Sequence, residues 1–141
     1  MVYAIESEIG GVFVPVRNVE AARDWYCRLL GRSPEGDVLF GHLFVVTMKG
    51  STGLLLDSKD FQGPHVSKPL FHFNTSNLEE ARSHALSVGA ANVSPIVNDA
   101  FFTFNDPDGN LLMTANVHPA PRFHPAEFPS TVSESNEPLE E

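Results

Sequence analysis

Apolar and polar positions follow two periods along this chain, strand-like and helical, and the two take turns. Residues 12–16 (VFVPV) form a short apolar run that reads as a strand. Asn18 then stands as an N-cap, because its side-chain oxygen can accept from an otherwise unpaired N–H of the first helical turn. Val19, Ala22, Tyr26 and Leu29 recur at helical spacing, Trp25 and Leu30 widen the stripe, and Gly31 supplies the stop. Beyond it, apolar runs over 38–40, 43–48 and 53–56 predict three strands, the last two joined by a turn at 49–52.

The same grammar returns downstream. Residues 71–75 (FHFNT) predict a strand, Asn77 a cap, and Glu80 the far half of a capping box. Leu78, Ala81, Ala85 and Val88 form the stripe and Gly89 the stop. Strands are predicted over 93–97, 100–104 and 111–117, with 105–110 (NDPDGN) as a tight turn between the last two. Residues 18–23 (NVEAAR) match 77–82 (NLEEAR) at an offset of 59, and the two glycine stops lie 58 apart. The chain therefore holds an internal duplication, βαβββ twice, with modules at about 9–57 and 69–117. This predicts an α+β domain over residues 1–117. From His118 on there are five prolines and no apolar period, so 118–141 is expected to be a disordered acidic tail.

Composition narrows the function classes. A hydrophobic content of 42% and a charged content of 19% suit a domain with a packed core. No apolar run is long enough for a membrane span, and residues 1–10 lack the pattern of a secretion signal. The net charge of −9 divides into −5 over 1–116 and −4 over 117–141. No basic stripe exists, which argues against nucleic acid, and an acidic body mildly favours cationic ligands. Cys27 is the sole cysteine, excluding an intramolecular disulfide and a multi-cysteine zinc site; a cytoplasmic location is expected.

The paired modules, residues 13–18 (FVPVRN) leading into 22–26 (ARDWY), Leu29, Leu30 and Gly31, and 105–111 (NDPDGNL) resemble the vicinal oxygen chelate superfamily. That group includes glyoxalases, bleomycin-resistance proteins, fosfomycin-resistance enzymes and extradiol dioxygenases. The resemblance spans roughly residues 9–117. It implies a glyoxalase/bleomycin-resistance-type fold in which four-stranded sheets curve around a concave cleft with helices outside. It also implies a homodimer.

Strand alternation then sorts the faces. Val12, Val14 and Val16 are expected under the helix, with Gly11, Phe13 and Pro15 towards the cleft. Phe71, Phe73 and Thr75 are expected inward, and Leu70, His72 and Asn74 in the cleft. On the last strand Leu112 and Thr114 are assigned to the helix side, and Leu111, Met113 and Ala115 to the ligand. Enzymes of the superfamily hold a divalent metal with His, Gln or Glu from these inner faces. The matching positions fall here on Gly11, on the stretch around 54–56, on Leu70 and on Met113, none of which offers a good donor.

The function this favours is non-enzymatic: sequestering or sensing an apolar or cationic small molecule in a metal-free cleft, with no cofactor expected. The expected ligand-binding residues are Phe13, His42, Leu70, His72, Asn74, Phe102 and Met113, with Phe40, Phe44, Phe101 and Phe104 as further candidate aromatics. No catalytic residue is assigned. Two alternatives stay open: an enzyme with a displaced metal site built from His42, His72 and an acid, and a module that binds another protein. Trp25 and Tyr26 read as core, Cys27 as an unactivated thiol, and Arg17, His65 and His84 as solvated surface. His118 and His124 fit no pattern.

Overall fold

The computed structural model describes residues 4–116. The chain divides into one unit of Ile9–His118 and a second made of Met1–Glu8 with Pro119–Glu141. In the second unit the described residues, 4–8, are exposed and hold no helix or strand. The expectation of a disordered tail falls outside the described residues.

Within the first unit the order is β1 (Gly11–Pro15), α1 (Val19–Leu30), β2 (Leu43–Val46), β3 (Gly53–Asp57), β4 (His72–Asn74), α2 (Leu78–Ser87), β5 (Phe101–Asn105) and β6 (Leu111–Ala115). These strands form two three-stranded sheets of identical design, β1-β3-β2 and β4-β6-β5. In each, the strand before the helix pairs in parallel with the last strand of its module, and the hairpin partner pairs antiparallel. The parallel crossover is what the helix between them permits.

Both helices start as their caps dictate. Asn18 Oδ1 accepts from Ala21 N at 2.9 Å, and Asn77 Oδ1 from Glu80 N at 3.1 Å. The reciprocal half of the second capping box differs from expectation. Thr75 Oγ1, not the Glu80 carboxylate, accepts from Asn77 N at 3.1 Å. Gly31 ends α1 at φ 67°, and Gly89 follows α2 at φ 85°, a conformation that costs glycine nothing.

The predicted strands at 38–40 and 93–97 are corrected. Among the described residues each survives as isolated bridges, Leu39 with Leu43 in the first module, and Ala91 with Asn105 and Val97 with Phe101 in the second. Left-handed backbone prevents extension: Phe40 and Gly41 have φ of 54° and 79°, and Asn98 and Asp99 have 54° and 52°. Both reversals close alike, Leu39 N to Leu43 O at 2.7 Å and Val97 N to Phe101 O at 2.8 Å. The duplication thus reaches into loops.

The core lies between the sheets and the helices, with Val14, Val16, Phe44, Val46, Leu54 and Leu56 under Val19, Ala22, Trp25 and Tyr26. A buried polar cluster ties the modules together. Asp106 Oδ1 accepts from Asp108 N and Asn110 N, both at 2.9 Å. Asp106 Oδ2 accepts from Tyr26 OH at 2.5 Å and from Asn110 Nδ2 at 2.8 Å. Asn110 Nδ2 also donates to Pro15 O at 2.8 Å, and its Oδ1 accepts from His65 N at 2.9 Å. Burial, then the neighbouring Asp106 charge, pushes the Tyr26 hydroxyl well above its ordinary pKa, so it stays a donor.

Two surface expectations change as well. His84 Nε2 meets Arg28 O at 3.1 Å and Leu29 O at 3.0 Å, so it caps the carbonyl end of α1 from α2. Arg17 pairs with Asp108 at 3.1 Å and lies 4.7 Å from the centre of the Phe61 ring.

Removing the cluster's hub should cost more than removing its edge. Asn110→Ala strands Pro15 O, His65 N and part of Asp106, and should lower unfolding free energy by about 3 kcal/mol or more. Tyr26→Phe leaves Asp106 three donors and should cost about 1–2 kcal/mol. Urea melts of both variants check the order; an Asn110→Ala variant no weaker than Tyr26→Phe would sink the hub assignment.

Candidate functional site

Strand register places the site residues. In the first sheet Phe13, Leu55 and Val45 align across β1, β3 and β2, on the face away from α1. In the second, His72, Met113 and Thr103 align in the equivalent row, with Asn74, Ala115 and Phe101 beside them. Phe13 and Leu70 are 57% and 59% exposed. The first row is therefore an uncovered apolar face, and the second carries one imidazole and one hydroxyl.

A cleft of about 560 Å³ opens where the beginning of β3 and the end of β2 approach β4. Its apolar lining is Val12, Leu30, Met48, Leu54, Phe71 and Phe73. Its polar lining is Arg32, Thr47, Lys49, Thr52, His72 and Asn74, with Gly53 between. Phe71 and Phe73 meet edge to face with centroids 5.2 Å apart, which gives the cleft a rigid aromatic wall.

Of the expected ligand residues, His72 and Asn74 line this cleft. Met113 stands beside His72 in register but outside the lining, and Phe13 and Leu70 lie elsewhere on the open faces. Phe102 is corrected. It is 0% exposed, packed with Phe104 at a centroid distance of 5.6 Å in the core beneath the helices. The signal was available: the 105–110 turn pairs Phe102 with Thr114 and Phe104 with Leu112, both already assigned to the helix side. Phe44 is buried for the same reason, and Ala115, expected to face a ligand, is covered by its neighbours. Arg32, Lys49, Thr47 and Thr52 were missed, because they sit at element ends where periodicity carries no information.

His42 lies outside the cleft lining, at the opposite end of the first sheet. Its Nδ1 is 2.8 Å from Asp57 Oδ1, and its ring stacks obliquely on Phe40 at 6.2 Å. Burial pushes the Asp57 carboxyl up. The Lys59 N–H at 2.9 Å, the His42 hydrogen bond and the charges of His42 and Lys59 outweigh that and hold it below the usual carboxylate range. Cys27 is buried, and desolvation raises its thiol, so it is not poised as a nucleophile.

The positions matched to metal ligands do not fit a metal. Gly11 has no side chain to offer a donor, Leu70 is an exposed alkyl group, and Met113 offers a thioether. Leu54 and Leu56 are buried, and Leu55 faces the open side. Among the described residues no three His, Cys, Asp or Glu side chains converge, so the combination of His42, His72 and an acid is not assembled within this unit. No helix among the described residues is long and apolar enough to cross a membrane.

Residues 8–114 match the model of the Glyoxalase/Bleomycin resistance protein/Dioxygenase superfamily. No curated protein matches the chain by sequence. Solved structures with this fold include TnmS3, an antibiotic binding protein from Streptomyces sp. CB03234, at 24% identity and TM-score 0.62 over 81% of this chain and 98% of that one. A glyoxalase/bleomycin resistance protein from Catenulispora Acidiphila shares 22% identity and TM-score 0.60 over 79% and 100%. A lactoylglutathione lyase from Agrobacterium tumefaciens shares 17% identity and TM-score 0.59 over 79% and 95%.

The Asp57 carboxylate makes a pH prediction. Its folded pKa is depressed, so its stabilising contribution is present above the unfolded value of about 3.9 and is lost as pH falls through the folded one. The stability gap between the wild type and Asp57→Asn should be full at neutral pH and close below about pH 4. Paired thermal melts from pH 7 to 3 check this, and a gap unchanged at pH 3 would assign the stabilisation to something other than the charge.

Proposed function

The chain belongs to the Glyoxalase/Bleomycin resistance protein/Dioxygenase superfamily, and from that premise we propose that it binds a small molecule, sequestering or sensing it without turning it over. The observation that carries this reading is the 560 Å³ cleft lined by Leu54, Phe71 and Phe73. The matched metal positions Gly11, Leu70 and Met113 lie outside that lining and offer, in turn, no side chain, an alkyl group and a thioether. Lewis-acid chemistry needs several hard or borderline donors around one cation. Binding needs a largely apolar cavity with a few polar groups to set orientation, which is the composition here. The antibiotic binding protein of the same fold supports the reading.

The partner we propose for the uncovered face of the first sheet is a second copy of the chain. Phe13, Leu55 and Val45 form its apolar row, and Phe40, 83% exposed, stands at its end. Phe40 holds a left-handed backbone that the second module gives to Asn98, a residue that tolerates it. An exposed aromatic kept at that cost suits an interface anchor. A buried free thiol suits a cytoplasmic location.

Elemental analysis after incubation with Zn²⁺, Mn²⁺, Ni²⁺ and Fe²⁺ should find no stoichiometric metal, and a thermal-shift screen should return ligands recovered unchanged. One tightly held metal per chain would overturn the non-enzymatic reading. Light scattering should give twice the chain mass of 15.4 kDa, and Phe13→Glu should reduce it to the monomer. Phe40→Asn should weaken the dimer while stabilising the isolated chain by about 1 kcal/mol. A monomeric wild type at high concentration would remove the dimer.

A further inference from the structure

The polar lining of the cleft is one-sided in charge. Arg32 at the end of α1 and Lys49 after β2 both line it, His72 and Asn74 add N–H donors, and among the described residues no aspartate or glutamate lines it. This selection runs against composition, since residues 1–116 hold 13 acids and 8 Lys/Arg. Neither cation is committed elsewhere: the ion pairs among the described residues use Arg17, Arg23 and His42. The remaining wall, Leu30, Leu54, Phe71 and Phe73, is apolar.

On the small-molecule reading above, we infer that the ligand is an anionic amphiphile, an apolar and preferably flat body that ends in an oxyanion of carboxylate or phosphate type. The body lies against Phe71 and Phe73, and the oxyanion reaches Arg32 and Lys49. Overall acidity does not oppose this. At physiological ionic strength the Debye length is about 8 Å, so distant carboxylates are screened and the charges in contact decide. Arginine suits the role because its planar fork matches two oxygens of a carboxylate or phosphate, while lysine adds a point charge. Thr47 and Asn74 can donate to the remaining oxygen lone pairs. This inference departs from the expectation of an apolar or cationic ligand, whose cationic part rests on net charge alone.

Four probes with one shared body separate the terms: naphthylacetate, naphthyl phosphate, naphthylacetamide and naphthylmethylammonium. Each is titrated into ¹⁵N-labelled full-length protein, following amide shifts at residues 47–54 and 71–74. At least one anion should bind about tenfold tighter than the amide, the ammonium should bind most weakly, and the anion's advantage should shrink as salt rises. In the double variant Arg32→Gln with Lys49→Gln, the anions should fall to the affinity of the amide while the amide itself is unchanged. Both positions are exposed, and retained spectral dispersion checks the fold of the variant. An amide or ammonium that binds as tightly as both anions overturns the inference and leaves the binding reading intact. So does an anion preference that survives the double substitution. If none of the four probes moves these amides, the binding reading itself fails.

Discussion

A single buried carboxylate organises the relation between the two modules. Asp106 sits where water cannot reach it and accepts four hydrogen bonds, from Asp108 N, Asn110 N, Asn110 Nδ2 and Tyr26 OH. A polar group buried in that position is tolerable only with its lone pairs satisfied, so each donor is held as firmly as it holds Asp106. One of them, Tyr26, belongs to α1, and Asn110 carries the network on to Pro15 at the end of β1 and to His65 in the linker. The helix and edge strand of the first module, the linker and the last hairpin of the second thus share one polar joint. The cleft draws its walls from both modules, and among the described residues no strand pairing joins the two sheets, so this joint, with His84 on the end of α1 and Arg17 beside Asp108, holds the walls in place.

The duplication sets a symmetric scaffold, and chemistry enters where the copies diverge. Phe13 pairs with Leu55 in the first sheet as His72 pairs with Met113 in the second. One row is therefore apolar throughout, and the other carries an imidazole beside a thioether. The tight reversal after each helix diverges in the same way. Asn98 takes the left-handed backbone as asparagine readily does, whereas Phe40 takes it at a cost and leaves its ring in solvent. On the open faces of the sheets, then, the first module is apolar and the second carries polar groups.

How far the sequence alone could be read follows from what each signal encodes. Helical stripes and their caps were legible because the period and the capping chemistry are both local: Asn18, Asn77, Gly31 and Gly89 all act where they were expected. Strand alternation separates Phe101 from Phe102 but does not say which faces the helix. That needs the hairpin register, which pairs Phe102 with Thr114 on the helix side and so puts it in the core. The apolar runs at 38–40 and 93–97 form isolated bridges rather than strands, since apolar content alone does not exclude left-handed residues such as Phe40. His72 and Asn74 were found because they lie on a regular strand. Arg32 and Lys49 were not, because their convergence depends on how α1 and β2 end in space.

The cleft is best understood as a core that lacks one wall. Val12 continues the row of Val14 and Val16, Leu54 that of Leu56, and Phe71 and Phe73 pack against the same buried cluster. Val12, Phe71 and Phe73 are partly exposed at the cleft, whereas Val14, Val16, Leu54 and Leu56 are enclosed. Leaving such surface wet forfeits about 25 cal/mol for each Å² that a complete core would bury. A ligand body that covers it recovers that energy in the folded state alone, and so stabilises the fold by mass action as it binds. Apolar burial is nearly blind to which flat molecule supplies it. On the proposed reading, selectivity then comes from the polar lining of the cleft, where Arg32, Lys49, His72 and Asn74 would meet the polar group of a ligand.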